Sequence, residues 1–212
     1  MTPQKPQARA YGQRAPEVKK WLEEEYPDIK IRAKSENAEI YWGDETGLRN
    51  NCQHERGYAP KGEAPVIKLN ANSESINMIS ALTNQGKVRF RFFEGNMNGD
   101  ILIDFMMRLV NSAHRKVFLI LDNLRVHHCK PVKEWLEDHK EMIEVFYLPA
   151  HSPELNPDEN LNCDLKKGFH SGKPARNKKQ LKSKPQSHMA MLQRKSSRAK
   201  IYFNSEYVRY AA

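Results

Sequence analysis

Residues 117–123 read Val-Phe-Leu-Ile-Leu-Asp-Asn. Five apolar residues in unbroken succession are the pattern of a central strand buried on both faces. Upstream, Ile101, Leu102, Phe105, Leu109 and Val110 recur with helical spacing. Before them, residues 75–83 and 87–93 read as two strands. Asn84-Gln85-Gly86 joins them as a three-residue hairpin loop, with Gly where a positive φ is needed. In the second of these strands Val88, Phe90 and Phe92 alternate with Arg89 and Arg91, which predicts one buried and one wet face. Residues 38–44 predict an earlier strand, ending at Asp44. Val18, Trp21 and Leu22 predict a helix from Pro16 to Tyr26, closed by Pro27.

Downstream, Val132, Trp135, Leu136 and His139 mark a helix started by Pro131, residues 143–148 the next strand, and a further helix opens at Pro157. A strand, a hairpin and then alternating helices and strands predict an α/β fold. Its sheet is mixed and five-stranded, with an antiparallel meander, two crossovers and helices on both faces. Trp21, Trp42, Trp135, Met78, Met106 and Met107 are expected in the core. Residues 46–65 read as loop or short hairpin. Residues 170–200 lose apolar periodicity and are expected to form a linker or arm. The implied division is an N-terminal linker and helix (1–36), a central domain (37–169) and a basic C-terminal arm (170–212).

The 212 residues are 39% hydrophobic and 29% charged, with a net charge of +9. That length buries one core of ordinary size. No apolar run approaches the ~20 residues of a membrane span. The N-terminus has no apolar stretch resembling a secretory signal. Three unevenly placed cysteines (Cys52, Cys129, Cys163) give no disulfide framework, which favours a reducing cytoplasm. The charge is unevenly placed. Residues 165–212 hold 13 Lys/Arg against one acid, Glu206, leaving 22 basic and 25 acidic residues in the rest. A basic tail on a mildly acidic body fits either a polyanion partner, usually nucleic acid, or a solvated terminus without a ligand.

Three acids fall where the sheet would aim them at one rim. Asp44 follows the first strand's apolar residues, Asp122 ends the central strand, and Glu159 lies in the first turn of the helix from Pro157, with 36 residues between Asp122 and Glu159. Carboxylates on several rigid elements are what two-metal phosphodiester chemistry needs, because Mg²⁺ takes hard oxygen ligands in near-octahedral geometry. Asp122-Asn123 is also an ordinary turn pair. Asn156, Pro157 and Glu159 likewise fit a helix cap. The residues alone do not choose Glu159 over Asp158, Glu45 or Asp164. His127-His128-Cys129 and Cys52-x-His54 lack the paired spacing of a structural zinc site.

Tyr41-Trp-Gly-Asp-Glu-Thr-Gly47, the 117–123 block with His127, and Leu148-Pro-Ala-His-Ser-Pro-Glu-Leu-Asn-Pro-Asp-Glu-Asn160 followed by Leu165-Lys166-Lys167 carry a resemblance. Together they resemble the catalytic blocks of mariner-type bacterial insertion-sequence transposases, of the DDE superfamily. The resemblance runs from Thr2-Pro-Gln-Lys-Pro6 to Val208-Arg-Tyr-Ala-Ala212, with Ser-Pro-Glu-Leu-Asn-Pro its most specific part. It implies a ribonuclease-H-like fold and a metal-binding triad of Asp44, Asp122 and Glu159. It also implies Mg²⁺, or Mn²⁺ in its place, and cleavage and transfer of double-stranded DNA at mobile-element ends, with TA-containing targets. A homo-oligomer on DNA is implied as well. Family members carry a helix-turn-helix region before this domain, so a partner chain is a possible source of that function. Asn123 is expected to orient Asp122, and His127 to approach a phosphate. Arg89, Arg91, Lys166, Lys167, Lys178 and Lys179 are the expected DNA contacts. His151 stands where an aromatic is more usual in the family.

Overall fold

The computed structural model describes residues 12–50, 60–63, 74–170, 175 and 177–212. The segments Thr2–Pro6 and Cys52-x-His54 lie outside these residues, as does most of the expected loop at 46–65. Five strands form one sheet: β1 (Glu39–Arg49), β2 (Ser75–Leu82), β3 (Val88–Phe93), β4 (Val117–Leu121) and β5 (Ile143–Tyr147). Their spatial order is β3-β2-β1-β4-β5. The first three pair antiparallel, and β4 runs parallel to both β1 and β5, giving the expected mixed sheet.

Every residue of β4 is buried, with Phe118 and Ile120 on one face and Val117, Leu119 and Leu121 on the other. One face carries α1 (Ala15–Lys20), α2 (Tyr26–Ser35), α5 (Pro157–His170), α6 (Lys178–Arg194) and α7 (Ser196–Lys200); the other carries α3 (Gly99–Ala113) and α4 (Lys130–Asp138). Asn98 caps α3 by accepting a hydrogen bond from Ile101 N. Gly86 in the hairpin loop has φ +82°, and a Cβ there would collide with the Ser196 backbone. Among the described residues no helix is long and apolar enough to cross a membrane.

Several local expectations are corrected. First, Pro27 does not end the N-terminal helix. A π-helical turn, Trp21–Glu25, precedes it, and its wider i→i+5 bonding relieves the clash between a proline ring and the preceding carbonyls. Second, β1 does not stop at Asp44 but continues to Arg49, paired with β2 along its length. Third, β3 has no wet face. Arg89 and Arg91 are half-buried, bonded to Ser112 of α3 and to Asp104 of α3 respectively. Met107, also on α3, is 46% exposed rather than packed.

A further correction concerns the C-terminal segment. Residues 178–194 are helical, and Leu181, Pro185, Met189 and Leu192 form a buried stripe against α5, β2 and β3. The stripe has helical spacing, but Pro185 and the surrounding Lys, Ser and Gln mask it. Beyond α7, Tyr210 packs edge-on to Tyr26 and Trp42, accepts a hydrogen bond from Trp21 Nε1 and donates one to Leu155 O. The chain end is thereby fastened into the core. Asp164 of α5 adds a polar clasp. Arg198 Nη2 lies 2.9 Å from both its oxygens, and Tyr202 Oη donates at 2.6 Å.

Candidate active site

Strand alternation sets the site. Side chains point to opposite faces at successive residues, so Asp44 shares the α5 face with Trp42 while Glu45 points to the α3 side. The parallel register pairs Trp42 with Ile120. Two residues further along, Asp44 on β1 and Asp122, the first residue past β4, line the same cavity. Gly43 makes that register possible, because a Cβ there would lie 2.9 Å from Leu121 Cδ2 and 3.0 Å from Ser80 O.

The segment after β5 brings the third acid. A 3₁₀ turn, Pro153–Leu155, precedes α5. Asn156, 2% exposed, ties the start of that helix to the sheet: its Nδ2 donates to Gly43 O at 3.0 Å and its Oδ1 accepts from Asp158 N at 3.0 Å. The Ser-Pro-Glu-Leu-Asn-Pro block therefore docks a helix N-terminus beside Asp44. The result is a cavity of about 300 Å³ lined by Asp44, Asp122 and Glu159 together with Asn123, His151 and Asn156. His151 sits on its wall with a left-handed backbone, φ +58°. Gln13 reaches the same rim, donating to Ser152 Oγ at 3.0 Å and to Glu154.

Structure separates the acids that sequence left equivalent. Asp158 is fully buried beneath α5, where it accepts a 2.7 Å hydrogen bond from Ser80 Oγ, and it does not line the cavity. Glu45 Oε1 lies 3.2 Å from His127 Nε2 on the other face. Asp164 is held in the Arg198–Tyr202 clasp. Glu159 faces the cavity.

The electrostatics are those of carboxylates crowded together. Burial first, then repulsion from Glu159 and to a smaller extent from Asp122, push Asp44 up to about 7, against hydrogen bonds from Glu45 N and Asn162. Asp122 is also raised, by burial first and by Glu45 and Glu159, with His127 opposing. An all-oxygen set of this kind fits Mg²⁺ or Mn²⁺, which would relieve the repulsion. Among the described residues no group of three or more His, Cys, Asp or Glu side chains is gathered to hold an ion. The acids are spread around the cavity wall, an arrangement suited to ions that keep waters and share ligands with a substrate phosphate.

The other expected site residues fall in different places. Asn123 lines the cavity, and its Oδ1 accepts from His128 Nε2 at 2.5 Å rather than orienting Asp122. His127 is 2% exposed and cannot reach a phosphate. Its Nδ1 meets Asp122 O at 2.9 Å, so it braces the loop behind the acid. Burial pushes the His127 imidazole down, but its contacts with Glu45 and Asp122 raise it overall. Arg89 and Arg91 are not brought to the cavity. Lys166 and Lys167 are exposed on α5, and Lys178 and Lys179 on α6, with Lys178 paired to Glu94 at 2.9 Å. Sequence reading missed Asn162 and Ser80. Asn162 is 1% exposed, and its Nδ2 donates to Asp44 Oδ2 at 2.9 Å. The available signal was its helical position, a polar residue between Leu161 and Leu165 on the buried face of α5.

The profile described as DDE superfamily endonuclease matches residues 39–182, more than half of the chain and every element that builds the cavity. The chain belongs to the DDE superfamily endonuclease family. Solved structures share the fold of this DDE-family chain. The Mos1 mariner paired-end complex with Mn superposes with a TM-score of 0.69 at 15% identity, covering 100% of this chain and 67% of that one. The Mos1 transposase paired-end complex with left transposon end gives 0.68 at 15% identity over the same shares. The isolated catalytic domain of Mos1 mariner transposase gives 0.60 at 15% identity, over 95% of this chain and 97% of that one. The expected ribonuclease-H-like architecture is therefore present. A search of curated protein sequences gave no match.

Proposed function

We propose that this DDE-family chain is a transposase catalytic unit that cleaves double-stranded DNA at mobile-element ends and transfers the strand, with Asp44, Asp122 and Glu159 as its metal ligands. The observation that carries this reading is that these three carboxylates, from β1, the residue following β4 and the first turn of α5, line one cavity. Divalent metal, when bound, would supply Lewis acidity at the scissile phosphate and an activated water or 3′-hydroxyl. Asp44 and Asp122, fixed by the sheet, would hold ligand oxygens at constant separation. Glu159, set by the Asn156 tie, would close the site from the helix side.

Lys166, Lys167, Lys178 and Lys179 support DNA as the substrate. They are exposed on the helices that cover the same face of the sheet, and Lys/Arg contacts to phosphates dominate DNA affinity. Arg89 and Arg91 are set aside as contacts, being committed to α3. The Mos1 paired-end complexes, solved with a transposon end and with Mg or Mn, lend support to both substrate and metal.

The test is nicking or joining of duplex DNA by the purified chain with Mg²⁺ or Mn²⁺, compared with Asp122→Asn. Metal-dependent cleavage that disappears in the variant is expected. Salt-sensitive DNA binding without cleavage would replace this reading with that of a non-catalytic DNA-binding remnant.

A further inference from the structure

We infer that Asn162 is a positioning residue for divalent-cation binding, its side-chain amide fixing the Asp44 carboxylate against the cavity wall. The inference rests on the reading of that cavity as a metal site. Asp44 shares its cavity with Glu159 and Asp122, and carboxylates so placed repel one another. An aspartate side chain can turn away from such a neighbour about two rotatable bonds. Asn162 Nδ2, 2.9 Å from Asp44 Oδ2, opposes that rotation.

Asn162 is itself immobilised. It lies on the buried face of α5, 1% exposed, one turn after Asp158, with Nδ2 also 3.4 Å from Asp158 Oδ2. Asp158 in turn accepts from Ser80 Oγ at 2.7 Å, and Ser80 stands directly across from Asp44 in the β1–β2 register. The chain of contacts thus runs from β2 through α5 and back to β1. Turning the amide over would aim Oδ1 at Asp44 Oδ2, so the donor faces Asp44. That orientation leaves Asn162 Oδ1 buried without a hydrogen-bond partner among the described residues. The arrangement favours the donor to Asp44 over satisfaction of its own carbonyl.

The chemical type of the donor matters. A lysine here would neutralise Asp44 and compete with an incoming cation. A neutral amide orients the carboxylate and leaves its charge available. Partners of metal ligands that act in this way typically change metal affinity 10–100-fold when removed.

Mn²⁺ binding to the full chain, read by electron paramagnetic resonance of the free ion, tests the inference with wild type, Asn162→Ala, Asn162→Leu and Asp44→Asn. Leucine keeps asparagine's branched four-atom skeleton and leaves no void, so a loss shared by both Asn162 variants follows from the missing donor. The expected result is about 10–100-fold weaker Mn²⁺ binding in both, with the Mn²⁺ needed for half-maximal DNA cleavage raised in parallel and kcat at saturating Mn²⁺ largely kept. Wild-type affinity in Asn162→Leu would overturn the inference while Asp44→Asn still loses binding and upholds the metal site. Absence of Mn²⁺ binding in wild type would overturn both.

Discussion

Strand β1 carries a buried carboxylate, Glu39, and a half-buried one, Asp44, five residues apart in opposite electrostatic surroundings. Glu39, 4% exposed at the start of the strand, lies 2.8 Å from Lys87 Nζ and 3.0 Å from Arg115 Nη2 and accepts from Tyr41 Oη at 3.1 Å. Burial alone would raise it, but the two cations outweigh burial and hold it below the ordinary range. Asp44 faces two other acids, and burial with their repulsion raises it to about 7. Among the described residues, the groups that set its charge include no Lys or Arg. The fold neutralises one carboxylate internally and gives the other no cationic partner among the described residues. The first arrangement serves stability; the second, on the proposed function, serves cation binding.

The largest expected effect of breaking this contrast is on chemistry. Asp44→Asn, Asp122→Asn and Glu159→Gln should each lower Mg²⁺-dependent cleavage by about 10³-fold or more, since metal stabilisation of the transition state is worth several kcal/mol. Gel assays on labelled duplex would show it, with DNA affinity at fixed salt largely unchanged.

Metal-free stability should come next. With Asp44 held up to about 7 against an ordinary value near 3.9, the folded protein keeps a proton that the unfolded chain has released. Stability in chelator should therefore fall as pH rises from about 4 and level off above about 7. Thermal melts across that range should show a smaller decline in Asp44→Asn. Glu39 has the opposite sign. Its lowered value contributes stability that is full above about 4.3 and fades as pH drops further. Glu39→Gln should cost about 1–3 kcal/mol at pH 7 by urea denaturation, because Lys87 and Arg115 lose a charged acceptor but remain partly solvated. A Glu39→Gln variant as stable as wild type would dissolve the comparison.

The smallest effects belong to the surface. Lys166→Ala and Lys167→Ala should each weaken DNA binding without regard to sequence and reduce the salt slope by about 1. Substitution is the sound test, because truncation at residue 170 would strip Leu181, Met189, Leu192 and Tyr210 from the core. An unchanged salt slope would move the DNA path off α5.

Much of this was legible in the sequence, for identifiable reasons. The run 117–121 and the alternation at 88–93 report strand period directly, and a mixed sheet of meander plus crossovers follows from connection rules. Asp44 and Asp122 were visible because they follow apolar strand residues. Glu159 was not separable from Asp158, since neighbours on a helix differ by about 100° of rotation, and only packing decides which faces the sheet. Asn162 was hidden for the same reason. The contacts of Arg89 and Arg91 depend on α3 lying over β3, which an alternation pattern does not report. Helix α6 was missed because four apolar positions were diluted by Lys, Ser, Gln and an internal Pro185.

The contrast between the two carboxylates is tested most directly by thermal melts of wild type and Asp44→Asn at pH 7, in chelator and then in excess Mn²⁺. In chelator the variant should melt no lower than wild type, since it lacks the repelled charge. Mn²⁺ at about 100 times its dissociation constant should raise the wild-type midpoint by about 5–10 °C and leave Asp44→Asn nearly unmoved. An equal Mn²⁺ response in both proteins, or none in wild type, would contradict the account.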